Sequence, residues 1–229
     1  MTVDGTIEYG TLGSGTLALL LPGRGGSGIE QFLPLGRGLA EAGFRAIAIN
    51  PRGVGSSTGP LENLSLHDLA RDVAAVIDSL GGPAHLIGRA LGNRVARCVA
   101  VDYPYHVISV CLISAGGLFP AVMGPRNRAR SSLPITHTVS RAAGKSHDQA
   151  AQTTPVDEWW AGGTGPIMVI QGLDDHVAPP ENGRALAREF PDRVHLQEIE
   201  NAGHLVLFEQ PELVIGHITA FLIEHDTGT

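Results

Sequence analysis

Residues Gly88-Arg89-Ala90-Leu91-Gly92 place one glycine two positions before an alanine and another two positions after it. They follow the apolar run Ala84–Ile87, which is typical of a strand, and open a stretch that predicts a helix from Ala90 to Val101. A strand, a sharp turn and a helix, with glycines around one central residue, are the context of the G-x-S-x-G nucleophile elbow. In that elbow the serine stands exposed on a strained turn, and the glycines let two backbones approach closely. Here the central residue carries a methyl group, so the attacking oxygen is missing.

On both sides of this motif, short apolar runs alternate with segments of helical periodicity. This alternation predicts an α/β fold, with a mostly parallel, twisted sheet and helices on both faces. The predicted strands are Thr16–Leu21, Phe44–Ile49, Ala84–Ile87, Val107–Ile113, Ile167–Ile170 and Val194–Ile199. The predicted helices are Ile29–Ala42, Leu66–Leu80 with Ser65 or Asn63 at its cap, Ala90–Val101, Pro180–Glu189 and Pro211–Ile223.

Length and composition favour one globular domain. The chain has 229 residues, 43% hydrophobic and 17% charged, so we predict a single domain over residues 1–229. No apolar run reaches the roughly 18 residues of a membrane span, and no signal peptide is visible at the N-terminus. Cys98 and Cys111 fall in a predicted helix and strand, where we expect core thiols rather than a disulfide. We therefore predict a cytoplasmic protein without a membrane partner.

The charge distribution excludes one class of partner and leaves another open. A net charge of −7 argues against a nucleic-acid partner. The segment from Tyr103 to His147 nevertheless contains no acidic residue. Its basic residues after the next predicted strand are Arg126, Arg128, Arg130, Arg141 and Lys145. The segment is either a solvated surface or a basic rim that draws an anionic small-molecule substrate toward a cleft.

The segment Ala115–Pro155 interrupts the alternation of strands and helices. It is rich in Gly, Pro, Ser and Thr, and its periodicity is weak. A loop of this length inside a compact domain is usually functional or disordered. Its position predicts a short lid over the ends of the strands. Trp159 and Trp160 follow and are candidates to anchor the lid; Trp159 either lines a substrate pocket or packs in the core.

Several polar or glycine-rich groups follow predicted strands. They are Leu21–Gly26, Asn50–Ser57, Gly172–Pro179 and Asn201–His204. Each lies at the C-terminal end of its strand, where open parallel sheets bind ligands. The glycine-rich turn Leu21–Gly26 can also aim backbone N–H groups at a developing negative charge. One such group is weak evidence, whereas four in this chain order favour a common site.

Together with the elbow, these groups make the sequence from about Thr16 to Ile223 resemble the α/β-hydrolase superfamily, particularly its small bacterial esterase, lactonase and haloperoxidase-like members. The resemblance implies that Asp175 takes the place of the triad acid and His204 that of the triad base. Asp174 remains an alternative acid. His176 is a weaker candidate for the base, because it adjoins the acid in sequence.

The resemblance also implies that the backbone N–H groups of Arg24 and Leu91 take the places of the oxyanion-hole donors. Three residues depart from the family pattern. Ala90 replaces the serine, Arg89 stands where a histidine or another neutral residue is common, and Pro22 replaces the histidine of the usual His-Gly turn. The Arg89 side chain either binds a carboxylate or phosphate of the substrate or pairs with a neighbouring acid.

The missing serine leaves three functional hypotheses. A His204–Asp175 dyad can act as a general base on water or on an acidic substrate proton, opening an ester or lactone, cleaving a C–C bond beside a carbonyl, eliminating a leaving group or closing a ring. The second hypothesis is that the chain is an engineered, inactive Ser-to-Ala form of a serine esterase. The third is that it is a non-catalytic binding protein on the same fold. We favour the dyad, in an enzyme without cofactor or metal that acts on a small carbonyl compound, because no spaced ligand set predicts a metal.

Overall fold

A computed structural model describes residues 5–122 and 138–226. Its strands form one sheet: β1 (Tyr9–Leu12), β2 (Leu17–Leu21), β3 (Arg45–Ile49), β4 (Ala84–Arg89), β5 (Val107–Ile113), β6 (Ile167–Gly172) and β7 (Val194–Ile199). The strand order is β1-β3-β2-β4-β5-β6-β7. Every neighbouring pair is parallel except β1 with β3. The predicted mostly parallel sheet is therefore confirmed.

Helices cover both faces of this sheet, as predicted. They are α1 (Gly28–Gln31), α2 (Leu33–Glu41), α3 (Leu66–Leu80), α4 (Leu91–Asp102), α5 (Arg141–Thr153), α6 (Glu181–Glu189), α7 (Val206–Glu209) and α8 (Pro211–His225). Alternate residues of β2 belong to two apolar cores, one formed with α3 and α4 and the other with α2 and α8. Across the described ranges, no helix has the length and hydropathy needed to cross a bilayer.

Elements with strong apolar periodicity begin and end where the sequence predicts them. This holds for β5, β7 and α3. The cap of α3 is Ser65 and not Asn63, because the Ser65 hydroxyl accepts the Asp68 N–H at 3.1 Å while the Asp68 carboxylate accepts the Ser65 N–H at 3.0 Å. This reciprocal pair is a capping box, which satisfies two backbone donors at once.

Several elements differ from the prediction, and three of the differences have a local reason. The edge strand β1 is short and largely exposed, so it has no apolar run. The predicted helix Ile29–Ala42 is divided at Phe32, because Pro34 cannot donate the hydrogen bond that would continue α1 into α2. Helix α5 was not predicted, since its buried face consists mainly of small residues and carries little hydrophobic signal.

One surface histidine joins three elements through two carboxylates. The Nδ1 atom of His67 on α3 lies 2.6 Å from Asp102 Oδ2, at the end of α4. Its Nε2 atom lies 2.9 Å from Glu158 Oε2, in the turn before β6. Burial lowers the pKa of His67, but hydrogen bonds and charge from both carboxylates outweigh it, and the net pKa is raised. The protonated imidazole therefore stabilises this junction.

We expect the free energy of unfolding to fall as pH rises through the raised pKa of His67. The folded state binds this proton more tightly than the unfolded chain, so the stabilisation is complete below the unfolded pKa of about 6.5 and is lost above the folded value. The three side chains are partly exposed, which keeps the effect small. Denaturant unfolding of the wild-type chain and of His67→Gln across this range measures it. The same pH dependence in both proteins would contradict the assignment.

Candidate active site

The turn between β4 and α4 has the geometry of a nucleophile elbow. Ala90 adopts φ 51° and ψ −112°, a conformation that costs a non-glycine residue about 1–3 kcal/mol. The helix therefore begins at Leu91, one residue after the predicted start at Ala90. A Cβ on Gly88 would collide with the Gly92 carbonyl, and a Cβ on Gly92 with the Leu21 carbonyl. The strained, closely packed elbow is thus kept around a residue that has no nucleophilic atom.

We expect Gly92→Ala to lower the free energy of unfolding by about 3 kcal/mol, because the β2 backbone must move away from the new methyl group. Gly216→Ala in α8 is the matched control. A Cβ there meets no atom within 4 Å, and alanine is the better helix former by about 1 kcal/mol. Chemical denaturation compares the two variants. Equal changes in stability would show that the elbow is less tightly packed than described.

An imidazole and a carboxylate lie together at the ends of β6 and β7. His204 Nδ1 lies 3.0 Å from Asp175 Oδ2, and the Asp175 side chain is fully buried whereas that of His204 is 20% exposed. Asp175 Oδ1 also accepts the N–H groups of Val177 at 2.9 Å and Ala178 at 2.8 Å. These donors hold the carboxylate against Nδ1, which directs the lone pair of the imidazole to Nε2. Asp175, rather than the alternative Asp174, is the acid that contacts His204.

Two polar residues that sequence reasoning missed support this pair. Gln171 Nε2, at the end of β6, donates to Asp175 Oδ2 at 3.2 Å. The Ser114 hydroxyl, directly after β5, donates to the His204 carbonyl at 3.0 Å. The sequence feature that could have indicated them is that each is a polar residue at the end of an apolar strand. Both fix the backbone and side chains that bring His204 to Asp175.

The glycine-rich turn after β2 lies beside the elbow. A Cβ on Gly23 would lie 3.6 Å from the Ala90 Cβ. Over the described ranges, the N–H groups of Arg24 and Leu91 donate to no protein acceptor. Leu91 is the first residue of α4, where helix N–H groups have no partner within the helix. Two such N–H groups next to the elbow are suited to stabilise an oxyanion.

Helix α5 holds this turn in place. The Gly25 N–H donates to His147 Nδ1 at 3.1 Å, and the Gly25 carbonyl accepts the Ser140 N–H at 2.8 Å. The Arg24 guanidinium is exposed and pairs with Asp148 on α5 at 2.7 Å. Burial lowers the pKa of His147 to about 4, which keeps the imidazole neutral and able to accept. No sequence pattern indicated the contact of His147 with the turn.

A cleft lies next to the elbow and the glycine-rich turn. Its walls include Pro22, Leu91 and the apolar side chains of α3, together with Asp72 and His147. Asp72 is paired with Arg52 at 2.6 Å, and both side chains are buried. Burial raises the pKa of Asp72 in spite of the opposing charge of Arg52. The cleft is therefore lined mostly by apolar side chains, and of the two candidate oxyanion-hole residues Leu91 is part of its wall.

Comparison with known proteins identifies the family. The family model described as alpha/beta hydrolase fold matches residues 18–128 and 118–211. The chain belongs to this family. It is 28% identical to "Putative carbamate hydrolase RutD" of Variovorax paradoxus, over 83% of this chain and 85% of that protein. It is 35% identical to the 2-hydroxy-6-oxononadienedioate/2-hydroxy-6-oxononatrienedioate hydrolase of Burkholderia vietnamiensis, over 53% of this chain and 45% of that protein.

Solved structures show the same fold. An esterase from Exiguobacterium antarcticum superposes with a TM-score of 0.80 at 18% identity, covering 95% of this chain and 96% of that one. The predicted α/β-hydrolase fold is confirmed. With the family match and the named relatives, the chain is an enzyme of the hydrolase superfamily.

Within this hydrolase, Arg89 is buried next to the elbow. Its side chain is 7% exposed, and Nη1 donates to Gln31 Oε1 at 3.0 Å. The guanidinium carbon lies 5.1 Å from the centre of the Phe208 ring, within the range of a cation–π contact. Burial lowers the pKa of Arg89 to about 10, against the attraction of the Asp175 charge. Gln31 was not among the predicted site residues.

The tryptophans lie away from the cleft. Trp159 is 2% exposed, and the guanidinium carbon of Arg97 lies 4.5 Å from its ring centre. The Trp160 Nε1 donates to Glu189 at 2.7 Å. Neither ring is part of the cleft lining, and both belong to the core under α4. Of the two expectations for Trp159, a place in a substrate pocket or in the core, the structure has the second.

The predicted basic segment is described only in part. Arg141 and Lys145 are exposed on α5, whereas Arg126, Arg128 and Arg130 lie outside the described residues. Cys98 and Cys111 are buried, free thiols, as predicted. In the part of the chain that the structure describes, no three His, Cys, Asp or Glu side chains are grouped to hold a metal.

Proposed function

We propose that this enzyme hydrolyses a small ester, lactone or β-dicarbonyl-like compound with the His204–Asp175 dyad as general base and no covalent nucleophile. The observation that carries the proposal is the 3.0 Å contact between His204 Nδ1 and Asp175 Oδ2, at the same end of the sheet as an elbow whose central residue is Ala90. In this proposal Asp175 is the acid, His204 is the base, the Arg24 and Leu91 N–H groups form the oxyanion hole, and water supplies the oxygen.

The reaction begins at the free nitrogen of the imidazole. His204 Nε2 takes a proton from water while the water oxygen bonds to the carbonyl carbon. The carbonyl electron pair moves to oxygen, and the Arg24 and Leu91 N–H groups stabilise the resulting oxyanion. When the bond to the leaving group breaks, the imidazolium returns the proton to that group. Asp175 stabilises the imidazolium throughout. The Ala90 methyl group is smaller than a hydroxymethyl group, which lets the water approach.

The magnitudes are consistent with an active enzyme. A positioned general base contributes about 10²–10⁴-fold, and one oxyanion donor about 10²–10³-fold. The same proton transfers serve C–C cleavage in a β-dicarbonyl compound, where the leaving carbanion is protonated instead of an alkoxide. The names of two relatives, a carbamate hydrolase and a dioate hydrolase, support a carbonyl substrate.

The surroundings of the site support three further parts of this proposal. We infer a single domain over residues 1–229, in which residues 115–155 act as a short lid. The contact of α5 with Gly25 supports this, because it ties the segment to the proposed oxyanion hole. A cytoplasmic location is supported by the two unpaired thiols, Cys98 and Cys111.

The wild-type chain tests the proposal with a panel of small esters, lactones, carbamates and β-dicarbonyl compounds, followed by NMR detection of products. We expect turnover of at least one compound in the absence of added metal or cofactor. Calorimetric binding without product after long incubation would instead favour a non-catalytic binding protein on this fold.

A further inference from the structure

Two buried side chains beside the elbow carry N–H groups without an acceptor. Arg89 is 7% exposed and Gln31 is 3% exposed. Among the described residues, neither Arg89 Nε nor Gln31 Nε2 has a hydrogen-bond partner. The two side chains are joined by the Arg89 Nη1 to Gln31 Oε1 hydrogen bond of 3.0 Å, so their free donors belong to one cluster. Because buried donors are nearly always satisfied, this cluster indicates a ligand that supplies acceptors.

The positive charge of Arg89 is also uncompensated by a contacting acid. Within residues 5–122 and 138–226, Arg89 forms no ion pair, whereas the equally buried Arg52 pairs with Asp72 at 2.6 Å. The contacts of the Arg89 guanidinium are a neutral amide and the ring of Phe208. A buried cation is unfavourable unless a negative group faces it. An anionic ligand would provide that group.

This cluster borders the reaction centre. A Cβ on Gly23 would lie 3.0 Å from Arg89 Nη1 and 3.6 Å from the Ala90 Cβ. The cation and the elbow methyl therefore approach the same residue of the glycine-rich turn, next to the Arg24 N–H. Gln31 lies on α1, directly after that turn. A group bound at Arg89 is close enough to belong to a molecule whose carbonyl lies at Ala90.

We propose that Arg89 and Gln31 form a subsite for a carboxylate of the substrate, which makes the substrate class a small oxo acid or a carboxylated ester. This inference rests on the proposed function and adds the charge of the substrate to it. A carboxylate presents one negative charge and two coplanar oxygens, which match one guanidinium Nε–H and one amide N–H. A phosphate dianion would bring more charge and more acceptors than these donors satisfy.

Matched neutral and anionic probes test the subsite by calorimetry. Monomethyl malonate and dimethyl malonate share an ester carbonyl and differ in one carboxylate. We expect the wild-type chain to bind the monoester at least about tenfold more tightly, since truncating a buried, hydrogen-bonded charge pair has effects of this size or larger. Equal affinity for both probes would overturn the inference. Inorganic phosphate that displaces the monoester at similar concentration would also overturn the assignment to carboxylate.

Two variants assign the effect to these residues. Arg89→Met keeps the length of the side chain without the charge, and the preference for the monoester should vanish. Gln31→Glu places a carboxylate opposite Arg89 and removes the free amide N–H, so we expect loss of the preference together with a higher melting temperature. A preference that survives in folded Gln31→Glu would contradict the subsite, even where Arg89→Met does not fold.

The His204→Ala variant separates this inference from the proposed function. The preference for the monoester should persist there, because among the described residues the His204 side chain is hydrogen-bonded to Asp175 and not to Arg89 or Gln31. Its loss in a folded His204→Ala would contradict the subsite. Turnover that survives in His204→Ala would refute the general-base mechanism and leave the carboxylate preference standing.

Discussion

His204→Ala should reduce turnover of the preferred substrate by about 10²–10⁴-fold, the usual contribution of a positioned general base. The imidazole is held at 3.0 Å from a buried carboxylate, which leaves Nε2 as the proton acceptor. With an alanine in its place, water must attack without losing its proton. Steady-state kinetics near neutral pH measure the loss. The effect should appear in kcat, because no substrate-binding contact is assigned to His204.

His176→Ala is the matched control for this variant. His176 follows Asp175 directly and was the weaker candidate for the base. Its backbone carbonyl accepts the Val122 N–H at 2.7 Å, a contact that alanine keeps. We expect turnover close to that of the wild-type chain. A large loss in His176→Ala with turnover retained in His204→Ala would reverse the assignment of the base.

Ala90→Ser should create a reactive serine in a chain that has none at the elbow. The backbone already holds the strained conformation of the motif, with φ 51° at Ala90. A hydroxyl on this Cβ adds a nucleophile to the proposed set of His204, Asp175 and the Arg24 and Leu91 N–H groups. Where such a triad is intact, its serine accounts for about 10⁶-fold in turnover. We expect stoichiometric labelling by a fluorophosphonate and hydrolysis of simple aryl esters.

The double variant Ala90→Ser with His204→Ala controls for non-specific labelling. Without the base the new hydroxyl should remain unreactive. If the single variant Ala90→Ser is not labelled, the elbow, His204 and the two N–H groups do not form a functional catalytic site. Ester hydrolysis by Ala90→Ser, from a chain whose wild-type form turns over nothing, would favour an inactive Ser-to-Ala form of an esterase.

The sheet and most helices could be read from the sequence because their signals are local. The apolar run Val107–Ile113 is buried by neighbours on both faces, and the amphipathic period of α3 is strong. Helix α5 escaped prediction because Ala143, Gly144 and Ala150 on its buried face are too small to give a hydrophobic period. Gly144 lies against Gly25 of the glycine-rich turn and Ala150 belongs to the core with α3 and α4, so this face is buried by tertiary contacts that have no local pattern.

The pairing of Asp175 with His204 could be predicted from the order of residues along the chain, whereas the contacts of Gln31 and His147 could not. The places of Asp175 and His204 follow from their positions after β6 and β7, and the structure brings the two together. The contact of Gln31 with Arg89 joins residues 58 positions apart, and His147 reaches Gly25 over 122 positions. Such supporting residues are recognised by their position in the folded structure. Their residue type does not distinguish them in the sequence.

Intact-protein mass spectrometry during turnover tests the central claim most directly. The wild-type chain is quenched while it consumes a substrate that it hydrolyses, and its mass is compared with that of the resting protein. Direct attack by water predicts one species at the unmodified mass of 24.0 kDa at every time point. A transient species heavier by the acyl group of the substrate would reveal a covalent nucleophile elsewhere and contradict the account.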